Sequence, residues 1–188
     1  MYKRQIYAGH FLDMLFATVG WPASLSSIVI SQFPLVTLKE SGEVLPSTAP
    51  DQMVMIGQLP NGAVLSVHIE GGKRNGSGVQ LDITGHLGDL RVSNRSAFGD
   101  LGHDYVIEGS SGDNQPLQVL PVPPSYNRLP ESDLPSAVLE LAELYASYAE
   151  DIRHGHRNAP DFADAVRMHK LIDACVLSST EGVSVRLD

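Results

Sequence analysis

From Gly9 onward the apolar residues Phe11, Leu12, Met14, Leu15 and Val19 recur at helical spacing, and Gly20-Trp21-Pro22 supplies a stop. The spacing predicts a first short helix over Gly9 to Val19. Between Leu25 and Val122 the texture changes to β-rich runs separated by Gly, Asn, Asp and Pro, with no helical period long enough for a crossover, which implies an antiparallel sheet. The clearest unit is Met53 to Ile56, then Pro60-Asn61-Gly62, then Ala63 to Ile69, where Asn-Gly readily supplies the positive φ angles of a tight hairpin. Val79, Leu81 and Ile83 alternate with Gln80, Asp82 and Thr84, the period-2 pattern of a strand with one buried face, and Gly85 to Asp89 turns the chain toward Leu90-Arg91-Val92. Gly109 to Asn114 and Leu120 to Pro124 read as loops around one or two further strands, and Tyr126 to Leu134 reads as a linker.

After Pro135, the residues Val138, Leu141, Leu144, Tyr145, Tyr148 and Ile152 trace an apolar helical face that Gly155 can end in a left-handed cap. Tyr145 and Tyr148, like Met53 and Met55, are expected to pack the core. Pro160, at a first-turn position, opens another helix whose stripe includes Phe162, Val166, Ile172 and Val176; it ends before Gly182 and a final strand, Val183 to Leu187. Helices flanking a block of strands give an α+β pattern with an open-faced, mostly antiparallel sheet backed by helices.

Composition narrows the function classes. A length of 188 residues suits one domain with a substantial core, and 43% apolar with 19% charged residues is ordinary for a globular protein. A formal charge of -9 with scattered basic residues argues against nucleic acid as a direct partner. No apolar run approaches the roughly 20 residues that cross a bilayer, so no membrane partner and a cytoplasmic setting are expected. Cys175, the single cysteine, lies in an apolar helical stretch and reads as a small buried hydrophobe.

Candidate metal ligands are sparse. His154, His156 and Asp161 could approach a metal, but His-x-His beside a glycine with no fixed third ligand is common in polar loops, so no metal is expected. His68, His86 and His103 lie in or beside strands and turns without a ligand set, and read as structural or exposed. Gly71 to Gly78 matches neither the dinucleotide fingerprint nor the P-loop spacing, so no cofactor is expected for this chain alone.

Three segments together resemble the C-terminal domain of the Gfo/Idh/MocA oxidoreductase family. They are Gly9-His10-Phe11-Leu12-Asp13 with Gly20, Asn61 to Val64 through Thr84 to Val92, and Pro160 to Ala165 running into Ile172-Asp173-Ala174 and Ser178 to Gly182. The resemblance implies that residues 1–188 are one substrate-binding and oligomerisation domain, lacking the Rossmann domain that precedes it in the family. It implies NAD or NADP in an intact parent, a sugar, cyclitol or related polyol as substrate, and a homo-oligomer through the sheet face. Residues 1–5 do not resemble the family's lead-in, and are either native or a lead-in joined near Ile6.

Oxidising a secondary alcohol by hydride transfer needs a base for the hydroxyl proton, and an imidazole suits that near neutral pH. The resemblance matches His10 to that catalytic position and Asp13 to a carboxylate that accepts hydrogen bonds from sugar hydroxyls; the bland alternatives are a histidine satisfying local backbone groups and an exposed or capping carboxylate. Two departures stand against turnover: Ile6 occupies the position where relatives usually carry an aspartate, and none of Lys3, Lys39, Lys73 and Lys170 precedes a proline, so the family's Glu-Lys-Pro segment is absent. The pattern is similar to a subgroup that holds a fungal galactose-pathway repressor and related sugar dehydrogenases. Three functions therefore stay open: an oxidoreductase fragment, a non-catalytic sugar- or dinucleotide-sensing regulator, and a stand-alone oligomerisation module.

Overall fold

A computed structural model describes residues 3–71, 78–95, 105–126, 129 and 133–187. His103, Met1-Tyr2, most of the glycine-rich segment and part of the expected linker lie outside the described residues. The chain divides into two compact units, residues 1–74 with 161–188, and residues 75–160.

The first unit opens with α1 (Lys3–Val19), which begins ahead of the predicted Gly9 and ends where Gly20 adopts φ +87° and its N–H donates to Phe16 O at 3.0 Å. A four-stranded antiparallel sheet follows, built from β1 (Ser24–Ile30), β4 (Gln52–Gln58), β5 (Val64–Glu70) and β10 (Val185–Arg186) in the order β10-β1-β4-β5. Between β1 and β4 the chain makes a two-stranded ribbon, β2 (Leu35–Thr37) and β3 (Val44–Pro46). In the β4–β5 hairpin only Gly62 takes a positive φ, +89°; Asn61 instead uses its side-chain Oδ1 to accept from Ala63 N–H at 3.1 Å.

Alternation decides which side of this sheet is buried. Leu25, Met53 and Met55 point inward and pack with Ala8, Leu12 and Phe16 of α1 and with Met168, Leu171, Ile172 and Cys175 of α3 (Phe162–Glu181). Cys175 is buried, with its Sγ 3.7 Å from Met55 Sδ, as the apolar context predicts. The outward residues Ile28, Ile30, Val54, Ile56 and Val64 are exposed.

Because β10 pairs only with Ser24 and Leu25, the edge of β1 beyond them needs other hydrogen-bond partners. Helix α3 supplies them: Ser27 N–H donates to Ser178 Oγ at 2.9 Å and Val29 N–H to Ser179 Oγ at 2.8 Å. Helix α3 starts on a capping box formed by Asp161 and Asp164 and stops at Gly182, φ +66°. Asp161, not Pro160, therefore opens the helix. Its buried residues are Met168, Leu171, Ile172, Ala174, Cys175 and Ser178. The predicted stripe was misplaced at its start, since Phe162 is 92% exposed and Val166 is exposed, because the first turns of α3 extend beyond the sheet that the later turns cover.

The second unit holds another antiparallel four-stranded sheet, β6 (Val79–Gly85), β7 (Gly88–Asn94), β8 (Val106–Ser111) and β9 (Gln118–Val119), in sequential order. Among the described residues the predicted sheet is thus hydrogen-bonded as two four-stranded ladders plus a ribbon. The segment Gly109 to Ser111, read as loop from its glycine and serines, is the end of β8 paired with β7; the turn begins only at Gly112, φ +81°. A 3-10 turn at Pro124–Tyr126 leads toward α2 (Ser136–His154), which stops at Gly155, φ +70°, as its sequence predicts.

Helix α2 contradicts one expectation. Tyr145 and Tyr148 do not pack a core: they are 64% and 57% exposed, together with Val138, Leu141, Leu144 and Ile152. The half-buried positions are instead Leu139 and the small or polar residues Ala142, Glu143, Ala146, Ser147, Ala149 and Glu150. Hydrogen bonds hold that polar side: Glu143 Oε1 accepts from Leu129 N–H at 3.2 Å, and the buried Asp151 accepts from Asn158 and Ala159 N–H, both at 2.8 Å.

The Ala159 N–H, followed by that of Asn158, holds the Asp151 carboxyl below its ordinary range, against the opposing effect of burial. The native carboxyl therefore binds a proton more weakly than the unfolded one. Its contribution to stability is present above the ordinary carboxylate range and is lost as pH falls through the lowered native value. The stability difference between the wild type and Asp151→Ala, measured by thermal melts, is expected to be constant from about pH 7 to 5 and to shrink below about pH 4. A difference that stays constant down to about pH 2 would remove Asp151 as the anchor of this loop.

Candidate functional site

Helix α1 places the two predicted site residues by its period. With about 100° per residue, Ala8, Leu12, Phe16 and Val19 fall within an arc of roughly 80° that meets the core, while His10 and Asp13 project roughly 160° and 100° from Leu12. Both residues are exposed and lie three positions apart, so their side chains share the face of α1 turned from the core. That face offers an imidazole and a carboxylate in adjacent positions, a pair able to accept a hydroxyl proton and to hydrogen-bond a neighbouring hydroxyl.

The core side of the helix keeps this face oriented. Phe16 stacks at 5.3 Å on Trp21, and Arg167 of α3 lies over the Trp21 ring at 4.3 Å, tying the end of α1 to α3. Gly9, beside His10, has open space where a Cβ would stand, so the backbone here is not crowded.

Other histidines have structural partners. His68 hydrogen-bonds Gln52 Oε1 at 3.0 Å, His154 meets Glu150 at 3.2 Å, and His86 sits exposed in the tip of the β6–β7 hairpin. His154 and His156 stack with ring centroids 5.8 Å apart, and among the described residues no three acidic, histidine or cysteine side chains are grouped to hold a metal. An open groove along β8 and β9, lined by Ser110, Ser111, Gln115 and Gln118, carries no titratable group and so no acid–base chemistry.

Sequence reading missed the anchoring carboxylates. The buried Asp51 accepts from Gln32 N–H at 3.0 Å and Phe33 N–H at 2.8 Å, fixing the base of the β2–β3 ribbon, and Asp151 does the same after α2. An aspartate before a strand or near a helix end is common, and only the folded chain shows which backbone N–H groups reach it.

Residues 5–94, from α1 through β7, match the family described as the Gal80p C-terminal domain. Over those residues the chain is similar to that domain. The galactose/lactose metabolism regulatory protein GAL80 of Saccharomyces cerevisiae is 25% identical to it, over 82% of this chain and 38% of the yeast protein. Among solved structures, Gal80p from Kluyveromyces lactis is 25% identical with a TM-score of 0.76, covering 99% of this chain and 47% of that one. A levoglucosan dehydrogenase in complex with NADH and L-sorbose shares the fold, at 19% identity and a TM-score of 0.75, over 96% of this chain and 49% of its own. The Gal80p-like chain thus spans 38% of the curated relative and about half of these solved ones. Its antiparallel sheets and helices match the fold of the C-terminal domain of Gfo/Idh/MocA-like proteins, and the proteins similar to it in fold include both a regulator and a sugar dehydrogenase.

Among its described residues, every strand pairing of the Gal80p-like chain is antiparallel. A dinucleotide pyrophosphate is normally held at a βαβ turn, where a strand runs through a glycine-rich loop into a helix N-terminus. The described residues therefore do not fit that group. No described helix is long and apolar enough to cross a membrane.

Proposed function

We propose that this chain forms the substrate side of an NAD(P)-dependent oxidoreductase that acts on a sugar, cyclitol or related polyol in the cytoplasm. The observation that supports it is the adjacency of His10 and Asp13 on the exposed face of α1. In this reading His10 accepts the proton of the reacting hydroxyl as the carbinol carbon gives up its hydride, and Asp13 accepts a hydrogen bond from a second hydroxyl and fixes the ring. The hydride acceptor is held by a separate dinucleotide-binding domain, and the outward sheet face, with Ile28, Val54 and Ile56, meets a second copy of the chain.

A second reading, a regulator that senses sugar or dinucleotide without turnover, draws on Ile6 and on the likeness to the yeast regulatory protein. Incubating the intact protein with NAD or NADP and a panel of sugars and polyols separates the two. Reduced cofactor formed with one of them supports the oxidoreductase, whereas dinucleotide binding without turnover across a broad panel supports the regulator.

The 188-residue chain by itself is expected to bind neither NAD nor NADP, because the antiparallel ladders of its described residues offer no phosphate turn. Isothermal calorimetry checks this directly, and a one-to-one micromolar isotherm would overturn it.

A further inference from the structure

Gly9 stands in the interior of α1, where glycine is the weakest helix former apart from proline. Its φ is not among the positive ones that favour glycine, so no turn geometry requires it. A Cβ built on it meets nothing within 4 Å, so no packed neighbour requires a bare backbone either. Helix stability is given up at Gly9 without a turn or a close contact among the described residues in return.

Position on the helix supplies the reason. At 100° per residue Gly9 projects about 60° from Leu12 and about 40° from Asp13, on the shoulder between the core arc and the face that carries His10. It adjoins His10 and precedes Asp13 by four residues. Helical side chains lean toward the N-terminus, so a residue covers the turn before its own Cα, and the turn before Asp13 is the one that holds Gly9 and His10. The bare backbone at Gly9 is therefore a shelf bordered by a carboxylate and an imidazole.

We infer that Gly9 is a specificity-determining residue of the His10–Asp13 site, where it seats the C–H face of the sugar or cyclitol ring directly on the α1 backbone. The inference rests on the oxidoreductase reading of His10 and Asp13. A saturated ring carries hydroxyls around its rim and C–H bonds across its faces, and with one face on Gly9 its rim hydroxyls reach both side chains. An alanine methyl would lift the ring by about one carbon–carbon bond, ~1.5 Å. Misplacement by about 1 Å from the reacting geometry costs on the order of 100-fold in rate.

Gly9→Ala in the intact protein, with its dinucleotide-binding domain, tests this. The substitution is expected to raise the melting temperature by roughly one to a few degrees. On the sugar or polyol that the wild type oxidises, kcat/KM is expected to fall at least about tenfold, with dinucleotide affinity at the wild-type value. Thr18→Ala is the control: Thr18 is exposed on α1, bonds back to Met14 O at 2.9 Å and lies about 140° around the helix from Asp13. Replacing this weak helix former is expected to raise the melt and leave kcat/KM unchanged. Wild-type kcat/KM in Gly9→Ala, a loss that Thr18→Ala shares, or a loss confined to dinucleotide affinity overturns the inference. A lower melt for Gly9→Ala makes its role one of packing and overturns it as well. If the wild type binds a sugar without oxidising it, calorimetric affinity replaces kcat/KM, with the same tenfold loss expected. A wild type that neither oxidises nor binds any sugar or polyol rejects the reading of the whole site, and Gly9 with it.

Discussion

Replacing His10 by alanine in the intact protein, with its dinucleotide-binding domain, is expected to lower turnover on a sugar or polyol about 10²- to 10⁴-fold. Dinucleotide affinity is expected to stay at the wild-type value. The size follows from the loss of general-base assistance, since the hydroxyl proton would then have to leave to water. The selectivity follows from position: His10 lies on the face of α1 turned from the core, and the described residues carry no dinucleotide turn. Alanine is a strong helix former at an exposed position, so the variant is expected to melt within a few degrees of wild type. Wild-type turnover in a normally folded variant makes His10 structural. If the wild type binds dinucleotide and oxidises no substrate, Ile6→Asp tests whether the missing carboxylate on α1 is the cause, with a gain of turnover as the expected result.

A large effect on stability is expected at Gly88. It closes the β6–β7 hairpin opposite Gly85, lies beside Ser111 of β8 in the ladder, and adopts φ +150°. A Cβ there would stand 1.9 Å from the backbone oxygen of Ser110 and 2.8 Å from its carbonyl carbon. Backbone in the middle of a three-strand ladder cannot move aside as a flexible side chain does. Gly88→Ala is therefore expected to cost about 3 kcal/mol or more and to expose the amides of β6 to β8 to hydrogen exchange. Gly62→Ala provides the contrast: φ is also positive, +89°, but nothing lies within 4 Å of the added methyl, and the expected cost is about 1 kcal/mol. Equal melts for the two variants would show that the Gly88 backbone relaxes freely.

Much of the local structure was legible in single residues. Gly155 and Gly182 end their helices in the left-handed conformation, Pro60-Asn61-Gly62 turns the β4–β5 hairpin, and the alternation from Val79 to Thr84 marks a strand. Each depends on the φ/ψ preference of one residue or on a period of two or 3.6, both of which are written into neighbouring positions. The positions of His10 and Asp13 on one helix face were legible for the same reason. Their side chains being turned away from the core was not, because that required knowing that Leu12 and Phe16 meet Leu25, Met55 and Cys175.

The errors have the same origin. The apolar side of α2 and the first turns of α3 looked like core because their spacing is that of buried helices, and Gly109 to Ser111 looked like loop because glycine and serine favour turns. Asp51 and Asp151 gave no local sign of holding remote backbone N–H groups. Sequence by itself determined where the helices stop, the antiparallel pairing, and a Gfo/Idh/MocA-like α+β order of elements. Only the tertiary structure decided which apolar face is covered, how the strands divide into ladders, and which carboxylates become anchors. Periodicity records that a side of an element is apolar, whereas burial depends on a second surface supplied from residues far along the chain.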